Sequence, residues 1–147
     1  MILVECNPDK VLGYPRRQVK HSNDKGRICK LLEDSENTIG LVDEDPKAAQ
    51  PPYLLKLKVV SETHKVRVLR DEKLGNRIVV ICPQLEHWII EAASLSEVKM
   101  ADFGLSDRPS TLHREINSRL PKYKELLAEL LKLQNDRLVY LRKCLER

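Results

Sequence analysis

Two short apolar runs, each closed by acid, constrain this chain more than any other feature. Ile2-Leu3-Val4 runs into Glu5, then Asn7 and Pro8, and Thr38-Ile39-Gly40-Leu41-Val42 ends at Asp43-Glu44-Asp45-Pro46. Such runs, rich in leucine and β-branched residues and stopped by acid and proline, read as buried strands. Between them, Asn23 or Asp24 caps a helix through Ile28, Leu31 and Leu32, whose three- and four-residue spacing gives one apolar face. Strand, helix, strand within the first 43 residues predicts an α/β domain with at least two parallel strands.

The middle of the chain reads as an antiparallel meander. Pro46, Pro51 and Pro52 enforce a loop after the second strand. Leu55, Leu57 and Val59 alternate with Lys56 and Lys58, which predicts a strand with one wet face. Val66 and Val68 repeat the pattern, with a hairpin in the polar stretch Ser61 to His64. Gly75-Asn76 marks a turn before Ile78-Val79-Val80-Ile81, a continuous run suited to the centre of a sheet.

From Gln84 the period turns helical, with Leu85, Trp88, Ile89 and Ala92 on one face. Ser110 or Thr111 caps a helix to Leu120, Pro121 opens the next, and one long helix is expected to the end. Leu127, Leu131, Gln134, Leu138, Leu141 and Leu145 recur along it at steps of four and three. A seam of about three heptads is short for a coiled coil, so packing on the chain's own sheet is expected, with a homodimer or protein partner through the C-terminal helix as the alternative. The expected organisation is an α/β domain over residues 1–93 and a helical C-terminal extension over 94–147.

Composition narrows the function. At 147 residues one core is expected. Lys plus Arg exceed Asp plus Glu by 26 to 22, a net charge of +4, which suits a phosphate-bearing partner without approaching a polybasic arm. No apolar run approaches the roughly 18 residues that cross a bilayer, and an acid after Val4 is incompatible with a leader, so a cytoplasmic protein with no membrane partner is expected. Cys6, Cys29, Cys82 and Cys144 form no C-x-x-C pair, and His21, His64, His87 and His113 are scattered. Free thiols are the expectation, and a zinc site is not.

The acids at the strand ends carry the chemistry. If the two strands are parallel neighbours, Glu5, Asp43 and Asp45 emerge at the same carboxyl edge, where open α/β sheets place ligands. Asp43 and Asp45 are two apart, point the same way in an extended segment, and suit one hard cation. Magnesium takes oxygen ligands and keeps waters for a phosphate to displace. The plain structural counterpart is a capping acid and an acidic turn.

Three segments resemble a known family in order and in strand context. Ile2-Leu3-Val4-Glu5-Cys6-Asn7-Pro8-Asp9 is similar to the first motif of TOPRIM domains, with Cys6 where the family usually has glycine. Gly40-Leu41-Val42-Asp43-Glu44-Asp45 is similar to the second, a strand ending in D-x-D. Cys82-Pro83-Gln84-Leu85-Glu86-His87-Trp88 resembles a motif of small TOPRIM-like proteins related to OLD-family and phage-defence nucleases. The resemblance implies a TOPRIM-like mixed sheet and a Mg²⁺-dependent (or Mn²⁺-dependent) nuclease or related phosphoryl-transfer protein acting on nucleic acid. By the same resemblance Asp43 and Asp45 hold the metal, Glu5 is a further ligand or the general acid–base, and Glu86 is an additional metal carboxylate or one that supports the ligands from behind.

Arg16, Arg17, Lys20, Lys25 and Arg27 follow the first strand and are the candidate phosphate contacts, Lys25 lying near a helix N-terminus. One Trp, one Phe and four Tyr offer few stacking platforms, so backbone reading is expected over aromatic single-strand binding. Two rivals stand beside the nuclease: a catalytically silent interaction module or subunit with the same fold, and a phospho-receiver, which usually carries an acidic pair after its first strand and a lysine after a late one.

Overall fold

The computed structural model describes residues 2–5, 8, 19–21 and 24–146. Its framework is one mixed six-stranded sheet of order β2-β1-β3-β6-β5-β4. The strands are β1 (Ile2–Val4), β2 (Val19–His21), β3 (Ile39–Asp43), β4 (Lys58–Thr63), β5 (Val66–Arg70) and β6 (Arg77–Ile81). β1 pairs in parallel with β2 and with β3, in register Ile2 to Ile39 and Val4 to Leu41, and β3 pairs in parallel with β6. β4, β5 and β6 form an antiparallel meander. The α/β class, the parallel pair and the meander therefore stand as the residue patterns predict.

Alternation sorts the strand residues into two layers. Ile2, Val4, Ile39, Leu41, Val79 and Ile81 face one core. It is covered by α3 (Leu85–Leu95), α4 (Pro109–Glu115), α5 (Leu120–Lys132) and α6 (Asp136–Cys144). Leu3, Val42, Ile78 and Val80 face the other core, beneath α1 (Lys25–Glu33) and the helical turn α2 (Pro52–Leu55). Gly40 lets α1 lie close: a Cβ there would stand 3.1 Å from both Ile28 Cγ2 and Leu32 Cδ1. The larger core runs from β1 to Leu145, so the sheet and the C-terminal helices share it. No helix among the described residues is long and apolar enough to cross a membrane.

The caps follow the sequence closely at α1, where Asp24 Oδ1 accepts the Arg27 N–H at 2.8 Å. At α4 the N-cap position is Arg108 and Pro109 opens the helix, without a capping hydroxyl. Ile116–Arg119 then tighten into a 3₁₀ turn before α5.

Two expectations are corrected. Leu55 lies in α2 rather than in a strand, because Pro52 sets helical φ at its first turn, and the following strand begins only at Lys58. The supposed buried face of that strand is open: Val59 is exposed, and so is Val60, the residue of a bulge between Val59 and Ser61. The single long C-terminal helix is also broken. Gln134 adopts φ 55°, and Asn135 caps α6 by accepting the Leu138 N–H at 3.2 Å. The seam leucines are nonetheless internal, since Leu127, Leu138, Leu141 and Leu145 are buried in the chain's own core.

The hairpin between β4 and β5 turns at His64 and Lys65, with φ of 53° and 54°. Two successive left-handed residues make the turn whose twist matches that of paired strands. Its non-glycine residues are held from outside: Trp88 Nε1 donates to the His64 carbonyl at 2.9 Å, and the His64 ring lies 5.2 Å from that of Tyr140.

Candidate functional site at the carboxyl edge

β1 and β3 are parallel neighbours, and Glu5, just past the end of β1, reaches the end of β3. Glu5 Oε1 accepts the backbone N–H of Asp43 at 2.8 Å. Asp43 Oδ1 in turn accepts the Leu85 N–H at 3.1 Å, so it caps α3 from a neighbouring strand. Asp45 stands in the left-handed region at φ 45°, and its Oδ1 accepts from Gln84 Nε2 at 3.4 Å. The loop that bears it continues the β3–β6 pairing, with Glu44 N–H to the Ile81 carbonyl and Asp45 N–H to the Pro83 carbonyl.

Burial pushes the Glu5 carboxyl above its ordinary value; the Asp43 N–H and the Lys25 ammonium pull it back, and Asp45 and Asp24 push it up again. Glu5 and Asp45 thus lie within electrostatic reach of one another. Lys25 is the countercharge. It is almost fully enclosed and donates to the Glu44 carbonyl at 2.8 Å and to Gln50 Oε1 at 3.1 Å. Gln50 Nε2 reaches the carbonyls of Glu44, Asp45 and Ala48, so Lys25 and Gln50 together hold the acid-bearing loop.

A cleft of about 450 Å³ opens beside these groups, lined on its polar side by Lys25, Asp43, Glu44, Gln50 and Arg67. Arg67 bridges Glu44 and Glu62 at 3.0 Å each. Cys82 lies nearby, its thiol pushed up to about 11 by burial and then by Glu44, so it is protonated near neutral pH and is no nucleophile there.

The predicted residues divide clearly. Glu5, Asp43 and Asp45 come together at one edge, with Lys25 among them, though as a tether of the loop. Glu86 sits in the first turn of α3, one residue beyond the N–H that Asp43 caps, and its Oε1 lies 2.9 Å from His113 Nδ1 on α4. Arg27 is exposed on α1. Lys20 is placed in β2 by its backbone, and Arg16 and Arg17 fall outside the described residues. Among the described residues no group of three or more His, Cys, Asp and Glu side chains is arranged to hold a metal ion.

Sequence reading missed Gln50, Arg67 and the His113–Glu86 pair, because each depends on a partner more than twenty residues away. It also missed Asn76, fully buried, whose Nδ2 donates to the carbonyls of Leu32 and Ser35 and whose Oδ1 accepts the Thr38 N–H. Only the polarity of Asn76 at the head of an apolar run hints at that role. In comparisons with known proteins, no family model, no curated protein and no solved structure matches this chain.

Proposed function

We propose that the chain is a TOPRIM-like, Mg²⁺-dependent phosphoryl-transfer protein, in its most concrete form a nuclease that acts on nucleic acid at the carboxyl edge of β1 and β3. The observation that carries this reading is the junction of Glu5 and Asp43 on adjacent parallel strands, where the Glu5 carboxylate accepts the backbone N–H of Asp43 at 2.8 Å. The donors suit the ion: carboxylate oxygens are hard ligands, and magnesium is usually held by one or two carboxylates with its remaining positions left to water and phosphate. Asp43 and Asp45 would hold it, with Glu5 beside them and Glu86 as a further carboxylate at the start of α3. When bound, the ion supplies Lewis acidity toward a phosphoryl oxygen.

The side chains supply the rest. Glu5, with its proton affinity raised by burial, takes or returns a proton at the edge, as a general acid–base should. Lys25 and Gln50 fix the loop, and Arg67 lines the cleft as the ion-pair partner of Glu44 and Glu62. Free thiols at Cys29, Cys82 and Cys144 suit the reducing cytoplasm in which we place the protein.

A second reading, a catalytically silent interaction module, is favoured by one observation. Each strand-end acid accepts from a donor of the chain itself: Asp43 N–H, Leu85 N–H and Gln84 Nε2. Calorimetric titration with Mn²⁺, beside a nuclease assay on single- and double-stranded DNA and RNA, separates the two. The enzyme reading expects binding and cleavage that Asp45→Asn abolishes. Neither binding nor cleavage in the wild type would leave the interaction module.

A further inference from the structure

β4 is the last strand of the sheet, and among the described residues its backbone bonds to β5 alone. Its outer side therefore presents a row of N–H and C=O groups along Lys58–Thr63. Edges that stay single usually carry charge or proline at mid-strand. Here the charges stand toward the ends, at Lys58 and Glu62, with Val59, Val60 and Ser61 between them. Val59 is 51% and Val60 49% exposed, and Leu55, just before the strand, is 77% exposed. Three of the five large hydrophobics left open among the described residues thus gather at one sheet edge. They flank it on both faces: Leu55 and Val59 line the cleft beside α2, and Val60 lines the hollow between β4 and the end of α6. A ligand in either hollow covers one face. A strand added to the edge covers both.

We infer that β4 is a self-association edge, on which the β4 of a second copy of this chain pairs antiparallel and continues the sheet across both molecules. Two observations select a second copy. A two-fold axis normal to the sheet sets each face against the same face of the other copy, so Leu55 and Val59 meet their own equivalents, and Val60 meets its equivalent on the opposite face. Antiparallel pairing about the valines also carries the Lys58 end of each strand to the Glu62 end of the other. Parallel pairing would set lysine beside lysine and glutamate beside glutamate. Both side chains are exposed: Lys58 has a loose contact of 3.7 Å with Glu72, and Glu62 meets Arg67 through Oε1 alone. The bulge at Val60 bends both copies alike, since the axis relates identical strands. One short edge with three aliphatic side chains lies at the small end of specific interfaces, so the dimer is reversible. The inference is independent of any metal or substrate.

Sedimentation velocity of the full chain from about 5 to about 500 µM, a range that brackets a weak dimer, tests this. The dimer fraction should rise across the range, and hydrogen exchange of the β4 amides should slow with it. The double variant Val59→Lys, Val60→Lys should weaken dimerisation at least about tenfold in Kd. It should leave the melting temperature of the dilute protein unchanged, because both positions are exposed. Lys58→Glu and Glu62→Lys should each weaken the dimer about three- to tenfold. Mixing these two variants should restore it as a heterodimer, since each copy then meets the opposite charge at both ends. That rescue requires folded chains, so it separates a lost interface from a lost fold. A chain that stays monomeric at every concentration would overturn the inference and leave the edge to a strand of another sequence. A dimer that survives Val59→Lys, Val60→Lys lies elsewhere on the surface and would overturn it too. So would single charge variants that pair as tightly as wild type, or a mixture that recovers nothing.

Discussion

The carboxylate of Glu5 accepts the backbone N–H of Asp43 across 38 residues of sequence. The bond exists because β1 and β3 are parallel neighbours with Val4 level with Leu41, so that Glu5, just past the end of β1, reaches the last residue of β3, and it makes one acid the anchor of the strand end that bears the other. It also gives Glu5 a testable pH signature. Burial raises its pKa in the folded chain, so the folded state binds the proton more tightly than the unfolded state does. Its contribution to stability is then full below the ordinary value of 4.5 and is lost as pH rises through the folded value.

Glu5→Gln keeps a carbonyl oxygen for the Asp43 N–H and removes the buried charge. Its melting temperature should exceed that of the wild type near about pH 7, and the difference should shrink as pH falls through the carboxylate range. Glu5→Ala removes the acceptor and should cost about 1–3 kcal/mol. Thermal scans across pH check both, and a Gln variant less stable than wild type at neutral pH would contradict the assignment of burial as the dominant effect.

Asn76 joins three elements at the opposite edge of the sheet, through the end of α1, the start of β3 and the hydroxyl of Tyr53 at 3.3 Å. That hydroxyl donates to Asp71 Oδ2 at 2.7 Å. Asn76→Ala leaves two carbonyls and an N–H without this partner in a buried place, and should cost about 2–4 kcal/mol in chemical denaturation. Tyr53→Phe removes the bond to Asp71 and the longer one from Asn76, and should cost about 1–2 kcal/mol. An equal loss in the two variants would show that Asn76 is not the hub.

The central strands were legible in the sequence because they announce themselves locally: Ile2–Val4, Ile39–Val42 and Ile78–Ile81 are apolar runs, the first two stopped by acid and the last followed at one remove by Pro83. The strand-end acids were legible for the same reason, since Glu5 and Asp43 are simply the residues at which the first two runs stop. The edge strand β2 was not legible, because Val19–His21 lies in a polar, basic stretch that reads as an exposed loop and carries a single apolar residue. β4 was misread because alternation of Leu55, Leu57 and Val59 looks the same whether the apolar face is covered or open, and Pro52 turns the first of them into a helix. The tethers Lys25–Glu44, Lys25–Gln50 and Glu86–His113 depend on tertiary placement, which no local period encodes.

The break between α5 and α6 makes its own prediction. Gln134 stands at φ 55°, a region that costs a residue with a Cβ roughly 1–2 kcal/mol. Gln134→Gly should therefore be neutral or stabilising by up to about 1 kcal/mol, whereas in the interior of an unbroken helix it would cost about that much. Leu138→Ala, by contrast, removes a fully buried side chain from α6 and should cost about 2–5 kcal/mol. Urea titrations of the two variants read both signs at once.

Asp43 separates the enzymatic from the structural use of the strand ends, because its Oδ1 caps α3 through Leu85 N–H while the same carboxylate is a proposed metal ligand. Asp43→Asn keeps an oxygen acceptor for that N–H and loses the charge. Asp43→Ala loses both. If the acids hold a cation, Asn and Ala should abolish Mn²⁺ binding alike, while only Ala should lose the roughly 0.5–2 kcal/mol of a helix cap. Because the Asn variant keeps the acceptor for the Leu85 N–H, it should melt near the wild-type temperature without metal and gain nothing when Mn²⁺ is added. If the acids are only structural, Ala should still show the cap loss, but wild type and Asn should respond to Mn²⁺ identically. Melting curves of the three proteins, each with and without Mn²⁺, therefore distinguish a cap from a ligand at a single residue.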